Sequence, residues 1–282
     1  MFAHEFMRNA LIAGTFVGMA CGLAGYFVVL RAQVFAGDAL SHVAFTGALA
    51  AAVVGLDIRV GLFGATILGG LLLGVLGNRA RADDVVIGSV FAWALGLGVL
   101  FLSIFTTKSS ASNGTVGVSV LFGSIFGLST SDVRMSAVLA IIAGALVITI
   151  ARPLLFATLD PAVAIARGVP VRLLGLGFLV IVGLVAGQAS QAVGALLLLG
   201  LLAAPAGAAH RLTTNPFRGL ALSAILAISS VWIGLTLSYV FSTLPPSTMI
   251  ISTATATYLL ALLTTSTTRS REKQSDPLTA RT

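Results

Sequence analysis

Residues Asn9 to Leu30 read NALIAGTFVGMACGLAGYFVVL, 22 consecutive positions without a charged side chain. As a helix this run measures about 33 Å, enough to cross a hydrocarbon layer about 30 Å thick. Outward from it the pattern recurs at Asp38–Leu56, Val60–Leu76, Val85–Phe105, Val133–Ile150, Leu173–Gly187, Gln191–Ala208, Gly219–Phe241 and Ser247–Thr265. None of these runs alternates as barrel strands do. Lipid offers the backbone no hydrogen-bond partner, so helices are the remaining spanning structure. The 282 residues are 57% hydrophobic and 9% charged, with mean hydropathy +1.07, against about a quarter charged in soluble domains. The chain is predicted to be an all-α polytopic membrane protein with eight to nine transmembrane helices. Residues 1–267 form the transmembrane domain, with a long loop at 151–172, and 268–282 form a disordered tail. The first run is too long for a cleavable signal peptide and is followed by further spans.

The basic residues set the orientation. Arg31, Arg79, Arg81, Arg152, Arg167, Arg172, Arg211, Arg218, Arg269, Arg271, Lys273 and Arg281 fall on one side, twelve of the 16 Lys and Arg. Arg8, Arg59, Lys108 and Arg134 fall on the other. The positive-inside rule places the larger set, and with it the C-terminus, in the cytoplasm. Topology thus accounts for the net charge of +7, and no nucleic-acid partner is expected. Gly14, Gly18 and Gly22, Gly70 with Gly74, and Gly183 with Gly187 form small-residue faces for close helix packing. The lone Cys21 excludes an internal disulfide or a cysteine-rich metal site. Val116–Leu128 is apolar but too short for a crossing and reads as a re-entrant or interfacial piece.

Within this hydrocarbon, Gly37-Asp38-Ala39-Leu40-Ser41-His42 places a carboxylate and an imidazole four residues apart. On a helix the two share one face. Asp and His together suit a divalent transition metal, and ionisable groups at membrane depth point to a pathway. Two blander readings stand beside this: Asp38 as the N-cap of a helix after Gly37, with Arg31 as counter-charge, and His42 as a satisfied interior histidine. Gln188, Ser190 and Gln191 read as a polar break between spans, either an outer loop or part of a pathway lining. Asp83 and Asp84 are expected to cap the fourth span, and Asp57 and Asp132 to lie solvated in outer loops. In the loop, Asp160 suits an N-cap, Pro161 the first helical position and Gly168 the residue past the end. Val163, Ala164, Ile165 and Arg167 lie on the short helix between them, which needs another surface to hold it.

No Gly-x4-Gly-Lys-Ser/Thr loop, Gly-x-Ser-x-Gly elbow or His-Glu-x-x-His motif occurs, so this chain is not expected to hydrolyse ATP or act as an enzyme. Several segments resemble the permeases of zinc/manganese-type ABC importers: Tyr26-Phe27-Val28-Val29-Leu30-Arg31 with Asp38-Ala39-Leu40-Ser41-His42, Asp84-Val85-Val86-Ile87-Gly88, Leu121-Phe122-Gly123-Ser124-Ile125, Leu159-Asp160-Pro161 through Gly168-Val169-Pro170, and Val193-Gly194-Ala195-Leu196-Leu197 through Ala204-Pro205-Ala206-Gly207-Ala208-Ala209. Gly207-Ala208 departs from the family's usual Ala-Thr, and Leu244-Pro245-Pro246-Ser247-Thr248 from its glycine-rich turn. The resemblance implies a homodimer in the cell membrane with two ATP-binding subunits and an extracytoplasmic metal-binding protein. It implies transported Zn2+ or Mn2+, iron remaining open, with no permanently bound cofactor. Asp160–Gly168 would then couple to the ATPase. A permease for a metal chelate such as a siderophore or cobalamin, a secondary transporter and a membrane-embedded enzyme are the competing classes. Asp38 and His42 favour a bare ion.

Overall fold

The computed structural model describes residues 5–77, 83–108, 123–241 and 243–275. Ten α-helices occur in this order: α1 (Glu5–Leu30), α2 (Val34–Val54), α3 (Ile58–Leu76), α4 (Asp84–Lys108), α5 (Thr130–Leu159), α6 (Pro161–Ala166), α7 (Val171–Ala192), α8 (Leu198–Leu212), α9 (Pro216–Val240) and α10 (Pro246–Ser275). The described residues contain no strand. Eight of the helices are long and apolar enough to span a membrane. The 15-residue α8 is about 22 Å long, short of a full crossing by itself.

Glycine decides how closely the helices approach. Along α1, Cβ atoms built at Gly18 and Gly22 would press on the α9 backbone at Ile228 and Ala224, and one at Gly14 on the Val231 side chain. Gly70 and Gly74 of α3 lie against Leu179 and Leu176 of α7, while Gly183 and Gly187 of α7 lie against Thr66 and Leu62 of α3. The two expected glycine pairs therefore form one interface. Here the backbones are near enough that a methyl group at Gly183 would sit 2.4 Å from the Thr66 carbonyl oxygen. α1, α2 and α7 are the most enclosed spans, whereas α4 and α10 stand at the edge, where lipid covers exposed side chains such as Val85, Trp93 and Val99.

Helix ends differ from expectation at several places. α2 begins at Val34, with Gln33 at its cap, not at Asp38. α5 runs through Pro153 to Leu159, so the expected loop at 151–172 narrows to Asp160–Pro170. Gln188, Ser190 and Gln191 belong to the last turns of α7. The break falls instead at Val193–Leu197, around Gly194 with φ +97°. Pro205 lies within α8 without ending it. Asp57 caps α3 through the Arg59 amide. Asp132 forms a capping box with Ser129 and an ion pair with Arg59; neither carboxylate is a free loop residue. α10 continues to Ser275, into the stretch expected as a tail. Arg79, Arg81, most of Val116–Leu128 and residues 276–282 lie outside the described residues.

Candidate metal pathway

α2 carries the site. Asp38 and His42 are one helical turn apart on its face toward α4, Asp38 half-buried and His42 7% exposed. Since α2 starts four residues before Asp38, the carboxylate lies in the helix interior and the capping reading fails. The Arg31 guanidinium turns to the Gln33 Oε1 (3.0 Å), the Thr158 hydroxyl (3.3 Å) and the Phe178 ring. The His42 ring meets Phe91 of α4 edge-on, with centroids 4.9 Å apart. Its Nδ1 is buried without a hydrogen-bond partner among the described residues. Buried polar atoms are normally paired, which makes His42 a candidate site residue.

Below His42 a cavity of about 400 Å³ opens between α2 and α4, lined by Phe35, Asp38, Asp84, Ile87, Gly88 and Phe91. Asp84, expected only as a cap, faces the same space as Asp38. The sequence signal was present in the Asp84-Val85-Val86-Ile87-Gly88 segment, but nothing local says that α4 lies beside α2. Among the described residues no three His, Cys, Asp or Glu side chains gather at metal-ligand spacing.

Two hydroxyls position α2. Thr46 donates to the Ala94 carbonyl of α4 at 2.6 Å. Ser41 lies within hydrogen-bond reach of the Ala195 carbonyl, 2.9 Å away in the α7–α8 break. The break is covered on its other side by the 3-10 turn Ile125–Gly127: the Ser124 amide donates to the Gln191 carbonyl at 3.3 Å, and Gly123, at φ +73°, lies on Val193. Gln188 donates to the Ser136 carbonyl of α5 at 2.9 Å, and Ser190 to its own helix. Both are buried between helices and do not line the cavity at Asp38. Gln191 instead lines a second crevice of about 620 Å³, with Asp57, Arg59, Ser124 and Asp132. Between the levels of the two cavities α2 is packed dry by Ala44, Phe45, Ala48 and Leu49.

The short helix α6 is capped as expected. Asp160 accepts from the Val163 amide at 3.0 Å, Pro161 opens the helix and Gly168 has φ +77°. Ala164 is fully buried against the chain's own body, however, while Val163 is 42% and Ile165 60% exposed. Ala164 thus seats the helix, and the outward face is Val163, Ile165 and Arg167.

The family model of the ABC 3 transport family matches residues 3–265. The chain belongs to the ABC 3 transport family. It is 30% identical over 264 residues to the manganese transport system membrane protein MntC of Listeria monocytogenes, covering 93% of this chain and 92% of that protein. It is 27% identical to the manganese import system permease protein ScaB of Streptococcus parasanguinis, over 89% and 88% of the two chains. Among solved structures it is similar to PsaBC from Streptococcus pneumoniae in complex with Fab, with a TM-score of 0.79, 26% identity and 92% and 91% coverage. The family and the eight apolar helices make this chain a multi-pass protein of the cell membrane.

Proposed function

We propose that this chain is the transmembrane permease of an ATP-driven importer that carries a bare divalent transition metal, manganese foremost, into the cytoplasm. The observation that carries the reading is a carboxylate and an unpartnered, buried imidazole one turn apart on α2, above an acid-lined cavity. The manganese relatives named above favour Mn2+ over Zn2+, and Asp and His ligands suit either. Two protein ligands hold an ion loosely, which suits a site that must also release it. A second copy of the chain, or water, completes the shell. The sequence carries no phosphate-binding loop, which supports ATP hydrolysis on a separate pair of ATP-binding subunits, docked at Val163, Ile165 and Arg167. An extracytoplasmic metal-binding protein delivers the ion to the opposite face.

The test is uptake of radioactive Mn2+ by the complete importer in proteoliposomes. Asp38→Ala and His42→Ala should each abolish uptake, while the permease still folds and assembles with its ATPase. Wild-type uptake by the double variant defeats the metal-path assignment. Uptake by the permease without any ATPase would instead favour a secondary transporter. Uptake of a metal chelate in preference to free Mn2+ would favour a chelate permease.

A further inference from the structure

The cavity beneath Asp38 has a second carboxylate, Asp84 in the first turn of α4. We propose that Asp84 is the exit ligand, the last protein group an imported cation meets before the cytoplasm, and that Gly88 leaves the space through which the ion reaches it. The proposal rests on the metal-permease reading above.

The register of α2 and α4 carries the argument. The helices lie side by side and parallel: Thr46 bonds the Ala94 carbonyl, His42 meets Phe91, and Phe35 and Asp38 share a cavity with Asp84, Ile87 and Gly88. His42, Asp38 and Asp84 therefore descend one seam toward the cytoplasmic ends of both helices. At 1.5 Å per residue, His42 and Asp38 are about 6 Å apart along the axis, and Asp84 lies about one further turn down. Exposure rises in the same order: His42 is buried, Asp38 half-buried and Asp84 exposed.

The other cavity walls are Phe35, Ile87, Gly88 and Phe91, which offer a metal ion no side-chain oxygen or nitrogen ligand. Among the described residues lining this cavity, an ion leaving Asp38 has no charged side chain other than Asp84 to pass to, and a carboxylate at the mouth shortens that passage. Divalent manganese favours six oxygen ligands. Six waters at about 30 Å³ each occupy about 180 Å³, so the cavity of about 400 Å³ accepts the ion with its water. Among the described residues the Asp84 side chain makes no hydrogen bond and no ion pair, and α4 is started by the Asp83 carbonyl, which accepts from the Ile87 amide. Added to this is the buried, unpartnered His42 Nδ1 at the upper end of the same seam. A Cβ at Gly88 would meet nothing within 4 Å, so a side chain there would project into open space beside the cavity.

The test uses the complete importer in proteoliposomes, read by initial Mn2+ uptake, ATPase rate and thermal unfolding of the purified permease. Asp84→Asn should slow uptake by about tenfold, as removal of a supporting metal-site group does, with unfolding and ATPase assembly unchanged. Asp84→Glu should recover most of the rate. Gly88→Leu, which narrows the cavity with a four-carbon side chain, should slow uptake, while Gly64→Leu, at an equally open position on α3, should not. Wild-type uptake by Asp84→Asn overturns the proposal, as does a loss that appears only together with a lower unfolding temperature. If Asp38→Ala/His42→Ala is inactive while Asp84→Asn and Gly88→Leu transport normally, the exit assignment alone fails. If the Asp38/His42 double variant also transports normally, the metal reading fails with it.

Discussion

Ser41 has one hydroxyl hydrogen and two carbonyls within reach, its own helix's Asp38 at 2.7 Å and Ala195 at 2.9 Å. It ties the turn of α2 that carries Asp38 and His42 to the Val193–Leu197 break between α7 and α8. Backbone groups freed at such a break need partners at membrane depth. Ser41→Ala is expected to cost about 1 kcal/mol, the worth of one buried hydrogen bond, measurable as a lower midpoint of unfolding in detergent. Because α2 also loses its lateral tether, Mn2+ uptake should fall more than stability does. Uptake unchanged at reduced stability would show that Ser41 is structural only.

At the scale of the element, the α3–α7 interface is glycine against backbone from both sides. Gly183→Val must displace the Thr66 carbonyl and is expected to destabilise by about 1–3 kcal/mol or more, as overpacking does. Gly64 on the same helix α3 faces open space, so Gly64→Ala should be neutral or stabilising by up to about 1 kcal/mol. Thermal unfolding of the two variants side by side checks both. The helix α6 makes a different pair. Ile165→Asp should weaken ATPase co-purification and uptake while the permease stays folded, because Ile165 points outward and apolar area drives most association. Ala164→Asp should instead lower the permease's own stability, since it places an unpaired charge in the seat of the helix. Arg167→Ala should change binding little, an exposed ion pair being worth about 0–1 kcal/mol.

Across the whole molecule, α7, the Val193–Leu197 break and α8 together go out and back. Eight helices are long and apolar enough to span a membrane, and the 15-residue α8 adds a shorter segment after the break. Orientation can be read with a membrane-impermeant maleimide on intact cells in a Cys21→Ala background, the native thiol being buried. Leu56→Cys, at the exposed α2–α3 turn, should label. Arg167→Cys and Arg211→Cys should not. The reverse pattern would put α6 on the wrong side for an ATPase. Among the described residues Phe45 and Leu49 pack between the levels of the two cavities; if both cavities belong to one ion path, α2 must shift against α4 or the break to join them.

Periodicity, length and charge determined by themselves what a bilayer selects for. Apolar runs of about 20 residues, arginines between them and glycines at helical spacing are each read one segment at a time, and so are Asp38 with His42 and the caps of α6. The bilayer makes these signals strong because an unsatisfied backbone or a misplaced charge costs so much there. The remainder depended on distances between segments. No pattern along α5 shows that helix continuing past Pro153, and none near Gln188 shows that the break lies at Gly194, because both depend on which neighbours supply partners for the freed backbone. Ala164 reads as one of three apolar residues until the body of the protein covers it. Asp84 reads as a cap until α4 is laid along α2 and the two carboxylates share one cavity.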